Sequence, residues 1–393
     1  MSFLQVPYLL LAGMMACANP VDDTDNADGI IAIIDGVLID GTGAAPIPDA
    51  VIVIEDNIIS KVGTGSGVEI PAGAEVIDLQ GAYIIPGMMN THVHNGYDES
   101  NLREWAQHGV TTVRDLGSAG DSPATAFSVR DKRNSDDRNA RLVAAGPLVT
   151  TVGGYGSYPV SSPADAEEKI SQLLDLGADI IKIAIEDNLQ GRQWPLLPMA
   201  EIEAIVNTAH GRGKPVSAHI SRSKHLEMAV QAGVDDVAHM VIDDLADELI
   251  HEMILKDIYW VPTMELWEGV SEYHSLDWIT TAENNLRRFV QAGGQVAIGT
   301  DYDGYVTEFQ LGLPMVEMEL MQEAGMTPMQ IIVAGTRHAA HVCNLDDELG
   351  TIEEGKIADL VVVQDNPLED IQTLSNIQLV IHNGVVIRDS RND

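Results

Sequence analysis

From Gly29 to about Ile84, apolar and polar residues alternate in short runs broken by Gly and Asp: IIAIIDGVLID, then AVIVIEDNIISKVG, then AEVIDLQGAYIIPG. A period of two between turn formers predicts β-hairpins of a small sheet. The same texture returns near the C-terminus in ADLVVVQDN and QLVIHNGVVIRD. Strand-rich ends around a long α/β middle predict one small β-sandwich built from both ends of the chain, a discontinuous domain of residues 29–84 and 350–393.

The pattern between those ends is different. Apolar strand-like runs (YIIPGMMNTHVH, VTTVRDLG, RLVAAGPLV, ADIIKIAI, PVSAHI, VDDVAHM, IYWVPT and QVAIGTD) alternate with stretches of helical period such as EEKISQLLDLG and MAEIEAIVNTAHGRG. Eight β-α units predict an α/β fold of the TIM type, a (β/α)8 barrel over residues 85–349. A doubly wound sheet is the alternative. The number of units and the placement of polar residues favour closure.

The N-terminus has a third texture. Phe3 to Ala16 form an apolar run of signal-peptide length ending in small residues, and Cys17 follows directly. The run MMAC resembles the lipobox at which bacterial lipoproteins are cleaved and lipidated, and the acidic stretch after it looks like a tether. Residues 1–28 are therefore expected to be a signal and tether, exporting the protein to the periplasm or anchoring it at the cell surface. The segment before Pro7 lacks the Lys or Arg usual in a signal; if it is not one, the protein is cytoplasmic. No internal run reaches the ~18 apolar residues of a membrane span, so any membrane attachment is through that lipid anchor.

Composition narrows the choice of partner. The chain has 393 residues, 45% of them hydrophobic, with 22 basic against 60 acidic side chains and a net charge of −38. Such a field repels nucleic acid and anionic lipid, leaving a small-molecule substrate, with homo-oligomerisation open. The two cysteines, Cys17 and Cys343, exclude a disulfide framework. Cys343 is expected to be a small buried hydrophobe.

The chemistry-bearing residues fall at strand ends, where barrel enzymes keep their sites. His92 and His94 end the first strand, and their i, i+2 spacing puts them on one face. Lys182 lies in the fourth strand, His219 ends the fifth, His239 the sixth and Asp301 the eighth. In ADIIKIAI the isoleucines 181, 183 and 185 share one face while Lys182 and Ala184 face the interior. A charged ammonium there costs several kcal/mol unless paired. Either a structural salt bridge satisfies it, or it has reacted with CO2 to form an N6-carboxylated lysine bridging two metals.

These residues also carry a family likeness. PGMMNTHVH, GVTTVRDLG, IIKIA, VSAHI, GVDDVAHM and AIGTD, followed by GLPMVEMELMQEAGMTPMQIIVAGT and LGTIEEGKIADLVVVQDNPLEDI, resemble the amidohydrolase superfamily. Within it the match is to the imidazolonepropionase-like metal-dependent hydrolases, the amidase and dipeptidase group. The resemblance runs from Gly36 to Ile371. It implies that His92, His94 and Asp301 hold one divalent ion, His219 and His239 a second, and carboxylated Lys182 bridges them. Imidazole and carboxylate ligands suit Zn2+. A hydroxide bridging two metals would attack an amide, peptide-like or cyclic-amide C–N bond, with Asp301 as the catalytic proton carrier. The same site acting as a lactonase or phosphotriesterase is the second reading; a non-catalytic metal- or solute-binding lipoprotein is the third.

Three departures bear on substrate. Where relatives carry GGHG this chain has Gly153-Gly154-Tyr155-Gly156, making Tyr155 a candidate hydrogen-bond donor to substrate. The small loop expected after Lys182 is Glu186-Asp187-Asn188, acids placed to attract a cationic substrate group or to extend the acidic surface. After His219 stand Ser221 and Arg222, and Arg222 is a candidate clamp for a substrate carboxylate. The remaining histidines are expected at the surface or at caps, with His338 and His341 spaced i, i+3 on one helix.

Overall fold

The computed structural model describes residues 29–117, 122–303 and 309–391. The leader, the lipobox with Cys17, and nearly all of the tether lie outside the described residues. Alternation makes strands at both ends of the chain, and these join. Ile30–Leu38, Ile47–Glu55, Ile58–Thr64, Glu75–Asp78 and Tyr83–Pro86 share one eight-stranded sheet with Leu360–Val363, Ile377–His382 and Val385–Asp389. The seam is the antiparallel pair of Tyr83–Pro86 with Leu360–Val363. Alternate residues of the last strand serve two cores, as the pleat dictates. Leu360 and Val362 pack with Ile31, Ile52 and Ile54 inside the sheet's own cluster, while Val361 and Val363 face the larger core of the middle region.

In the middle region, parallel strands alternate with helices. Strands β1 (Met88–Val93), β2 (Val110–Asp115) and β3 (Arg141–Ala144) form one parallel sheet. A second contains Tyr158–Val160, Val149–Thr151, β4 (Ile181–Ala184), β5 (Val216–His219), β6 (Asp236–Ala238) and β7 (Tyr259–Val261), again with parallel neighbours. The labelled strands are short and almost wholly buried, as expected where helices cover the outer face. The helix Pro163–Asp175 shows the local logic. Ser162 caps it, Pro163 begins it, and Ala166, Ile170, Leu173 and Leu174 make its buried stripe.

Backbone hydrogen bonds link the two sheets on both sides. Asp179 N–H donates to Ala144 O beside β3, while Thr91 N–H donates to Ile298 O and Asp301 N–H to His92 O beside β1. The expected eighth strand, QVAIGTD, is reduced to isolated bridges at Val296 and Tyr302. Its middle is pinched against β1. A Cβ on Gly299 would lie 2.8 Å from His92 Cβ and 3.0 Å from its backbone N, so only glycine lets the segment approach this closely. Cys343 is buried, as expected.

An ion pair absent from the sequence reading ties this region together. Arg114 on β2 and Asp236 on β6 are fully buried and meet in two bonds of 2.8 and 3.0 Å. Arg114 also donates to the carbonyls of Thr91 and Val342. Removing one partner strands a charge in the interior, which costs roughly 3–5 kcal/mol. Asp236→Ala should therefore unfold at a clearly lower urea midpoint; an unchanged midpoint would show the pair to be dispensable.

Candidate active site

The alternation that buries the strands also aims their last residues into one cavity. His92, His94, Lys182, His219, His239 and Asp301 all line a single space of about 480 Å3 at the strand ends. His92 and His94, two residues apart, present their Nε2 atoms to the same oxygen, Asp301 Oδ1, each at 3.0 Å. The His239 ring lies 4.9 Å from that of His92 and 4.7 Å from that of His219, centroid to centroid. Ligand atoms of His92, His239 and Asp301 fall within 4.8 Å of one another.

The backbone is strained to achieve this. His239 (φ 73°), Thr263 (φ 50°) and Asp301 (φ 64°) all adopt the left-handed region that side chains disfavour. Such outliers persist where the surrounding structure over-determines them, commonly at functional sites.

Each ring has one nitrogen turned to the protein or to a neighbouring candidate ligand. Thr263 Oγ1 is hydrogen-bonded to His239 Nδ1 at 2.8 Å, leaving Nε2 for the cavity. His219 Nε2 is buried with no hydrogen-bond partner among the described residues and faces Glu186 at 3.6 Å, leaving Nδ1 for the cavity. Burial drives the His92 imidazole down to about 3, with Lys182 reinforcing the shift and Asp301 opposing it. Burial likewise holds His239 well below its ordinary value. For Asp301 burial pulls upward, but the His92 and His94 rings outweigh it and keep the carboxyl well below the usual range. His92 and His239 are thereby neutral imidazoles beside an ionised Asp301, the donor chemistry a divalent cation requires, whereas at His94 burial pulls downward but Asp301 outweighs it and raises the ring above its ordinary value.

Lys182 is the most informative member. It is almost wholly buried, and its Nζ has one hydrogen-bond partner among the described residues, Ser217 Oγ at 3.4 Å. No carboxylate of the described residues pairs with it, so the salt-bridge explanation fails. Burial pushes the amine down to about 7; Asp236 opposes the shift and Arg114 adds to it.

The substrate candidates divide. Tyr155 lines the cavity, stacked on the His219 ring at 4.6 Å and set edge-on to Trp194 at 5.1 Å. Arg222 does not line it. The chain turns outward after Ser221 to begin the helix Ser223–Ala232, and the guanidinium lies 3.9 Å from Asp243 instead. Glu186 corrects the expectation of an acid at the mouth or surface, since it is buried behind His219. His225 and His382, expected at the surface or at caps, are buried. His338 and His341 form no metal pair, bonding Val296 O and Asp346 respectively.

Sequence reasoning missed the cavity's outer wall. A two-strand hairpin, Asn188–Leu189 with Arg192–Gln193, brings Leu189, Arg192 and Trp194 to the opening. Its strands of two residues are too short to show any period. Leu266, Trp267 and Val270 on the helix Met264–His274 face into the same cavity.

With that geometry in view, three comparisons with known proteins agree. Residues 83–387 match the family described as "Amidohydrolase family". Ochratoxinase from Aspergillus niger is 25% identical over 434 aligned positions, covering 92% of this chain and 86% of that protein. Imidazolonepropionase from Geobacillus sp. (strain WCH70) is 26% identical, covering 84% of this chain and 86% of that protein. Among solved structures, a Xaa-Pro dipeptidase with bound methionine in the active site superposes with a TM-score of 0.80 at 29% identity, covering 91% of this chain and 99% of that one.

Proposed function

The chain belongs to the amidohydrolase family and is a hydrolase acting on carbon–nitrogen bonds; from that premise we propose that it uses two divalent ions, Zn2+ by donor chemistry, to cleave an amide, peptide-like or cyclic-amide bond. The observation that carries the reading is the convergence on one cavity of four imidazoles, one carboxylate and a buried amine with no acidic partner among the described residues. In this reading His92, His94 and Asp301 hold one ion, His219 and His239 the other, and Nζ-carboxylated Lys182 bridges them. Residues 85–349 then form the closed (β/α)8 barrel, and residues 29–84 with 350–393 the small sandwich beside it. Export and lipidation of Cys17 belong to the same proposal.

Bound there, the ions supply Lewis-acid charge that brings an attacking water toward neutral pKa and polarises the scissile carbonyl. Asp301 takes the proton from that water and returns it to the departing nitrogen, which makes an amine a tolerable leaving group. Tyr155 donates its hydroxyl hydrogen bond to the oxygen that gains charge. The same attack would open a lactone or phosphotriester, and the pocket decides which electrophile enters.

Leu148, Leu266, Trp267 and Val270 offer an apolar wall. Arg192, its guanidinium over the Trp194 ring at 5.2 Å, makes no ion pair among the described residues. An apolar acyl amino acid or dipeptide with a free carboxylate suits both features. Elemental analysis of the purified protein should find about two divalent ions per chain. A screen of N-acyl amino acids, dipeptides, lactones and phosphotriesters should favour the first two. Arg192→Ala should raise KM for carboxylate-bearing substrates roughly tenfold or more, as for loss of a hydrogen bond to a charged group. Fully folded protein that never retains a divalent ion would overturn the reading.

A further inference from the structure

Just beyond β4 the chain sets a carboxylate behind a candidate ligand. Glu186 is 1% exposed and lines no part of the cavity, so substrate does not reach it. Its Oε2 lies 3.6 Å from His219 Nε2, a buried nitrogen with no hydrogen-bond partner among the described residues. Two hydrogen bonds hold the acid, with a third polar group beyond bonding distance. Ser221 Oγ donates to Oε2 at 2.5 Å, Asn188 N–H donates to Oε1 at 2.8 Å, and His225 Nδ1 lies 3.8 Å from Oε2. His225 is fully buried, and its Nε2 meets Asp187 at 3.1 Å; Lys224 Nζ meets Asp187 at 2.6 Å from the solvent side.

A buried carboxylate is costly unless hydrogen-bonded, and Ser221 and Asn188 supply those bonds while the acid stays turned to the His219 ring. An imidazole whose far N–H turns to a carboxylate is fixed in tautomer and orientation, and its other nitrogen becomes a stronger donor to a metal. We propose that Glu186 is a positioning residue that orients His219 toward a divalent cation, and that Ser221 and the Asn188 N–H in turn fix Glu186. The proposal rests on the metal-binding reading of the cavity and adds to it a layer confined to one of the two ions.

The test strips wild type, Glu186→Gln and Ser221→Ala of metal and titrates each with Co2+ against a chromophoric chelator. Thermal midpoints of the metal-free proteins are measured alongside. Wild type should bind two ions. Glu186→Gln should lose roughly 10- to 100-fold in affinity for one ion, keep the other, and show altered Co2+ visible absorption. Ser221→Ala should shift the same affinity in the same direction by less, and it answers alone if Glu186→Gln does not fold. A merely structural acid would lower the metal-free midpoint and leave both affinities at the wild-type value, and that result overturns the proposal. Wild type that binds no Co2+ would instead overturn the metal reading itself, and this proposal with it.

Discussion

Lys182→Ala is expected to bind about one divalent ion per chain, to lose turnover by roughly 10^3-fold, and to regain part of both when acetate or propionate is added. The loss corresponds to several kcal/mol of Lewis-acid stabilisation, at 1.36 kcal/mol per tenfold. The reasoning begins with the side chain's solitude. Its Nζ lies in the interior with one hydroxyl in reach, and burial brings the amine down to about 7. At neutral pH a large fraction is therefore the free amine. In the proposed centre that amine would add to CO2, lose a proton and become an anionic carbamate, whose two oxygens could be shared between cations where an ammonium would repel them. A small carboxylate diffusing into the space left by alanine restores two oxygens and one negative charge. If Lys182 were simply a tolerated interior cation, its removal would leave metal content untouched and added carboxylates would do nothing. Metal analysis with and without propionate separates the two outcomes.

Asp301→Asn is expected to retain most of its metal and to lose turnover by roughly 10^2- to 10^4-fold, the usual span of general acid–base catalysis. The carboxylate oxygen that faces His92 and His94 at 3.0 Å is replaced by an amide of the same shape. The amide oxygen still serves as a ligand, but the group no longer takes up a proton between attack and departure of the amine. Metal per chain and kcat measured on the same preparation decide the matter. Unchanged turnover would remove Asp301 from the proton path, whereas turnover and metal lost in proportion would reduce it to a ligand.

The six strand-end residues that line the cavity are legible in the sequence because strand geometry is local. The i, i+2 spacing of His92 and His94 and the single inward Lys182 among isoleucines need no knowledge of distant contacts. Glu186 was read as an acid of the mouth or surface because its surroundings are not local. Its closest partner outside its own loop, Ser221, is 35 positions away. Arg114 and Asp236, separated by 122 positions, look like ordinary strand-end charges until β2 and β6 are placed in one interior. Tyr155 and Arg222 were indistinguishable as candidates. One stacks on the His219 ring and the other turns out with its helix, a difference set by where two loops leave the strands.

The seam between Tyr83–Pro86 and Leu360–Val363 sets an order of events during synthesis. At 5–20 residues per second, the early strand leaves the ribosome roughly a quarter of a minute to a minute before its partner exists. Throughout that interval its backbone groups form an open edge, available to any other nascent chain. The last strands made thus act as a closing seal, and a chaperone that shields the first ones until then would govern the yield of folded enzyme.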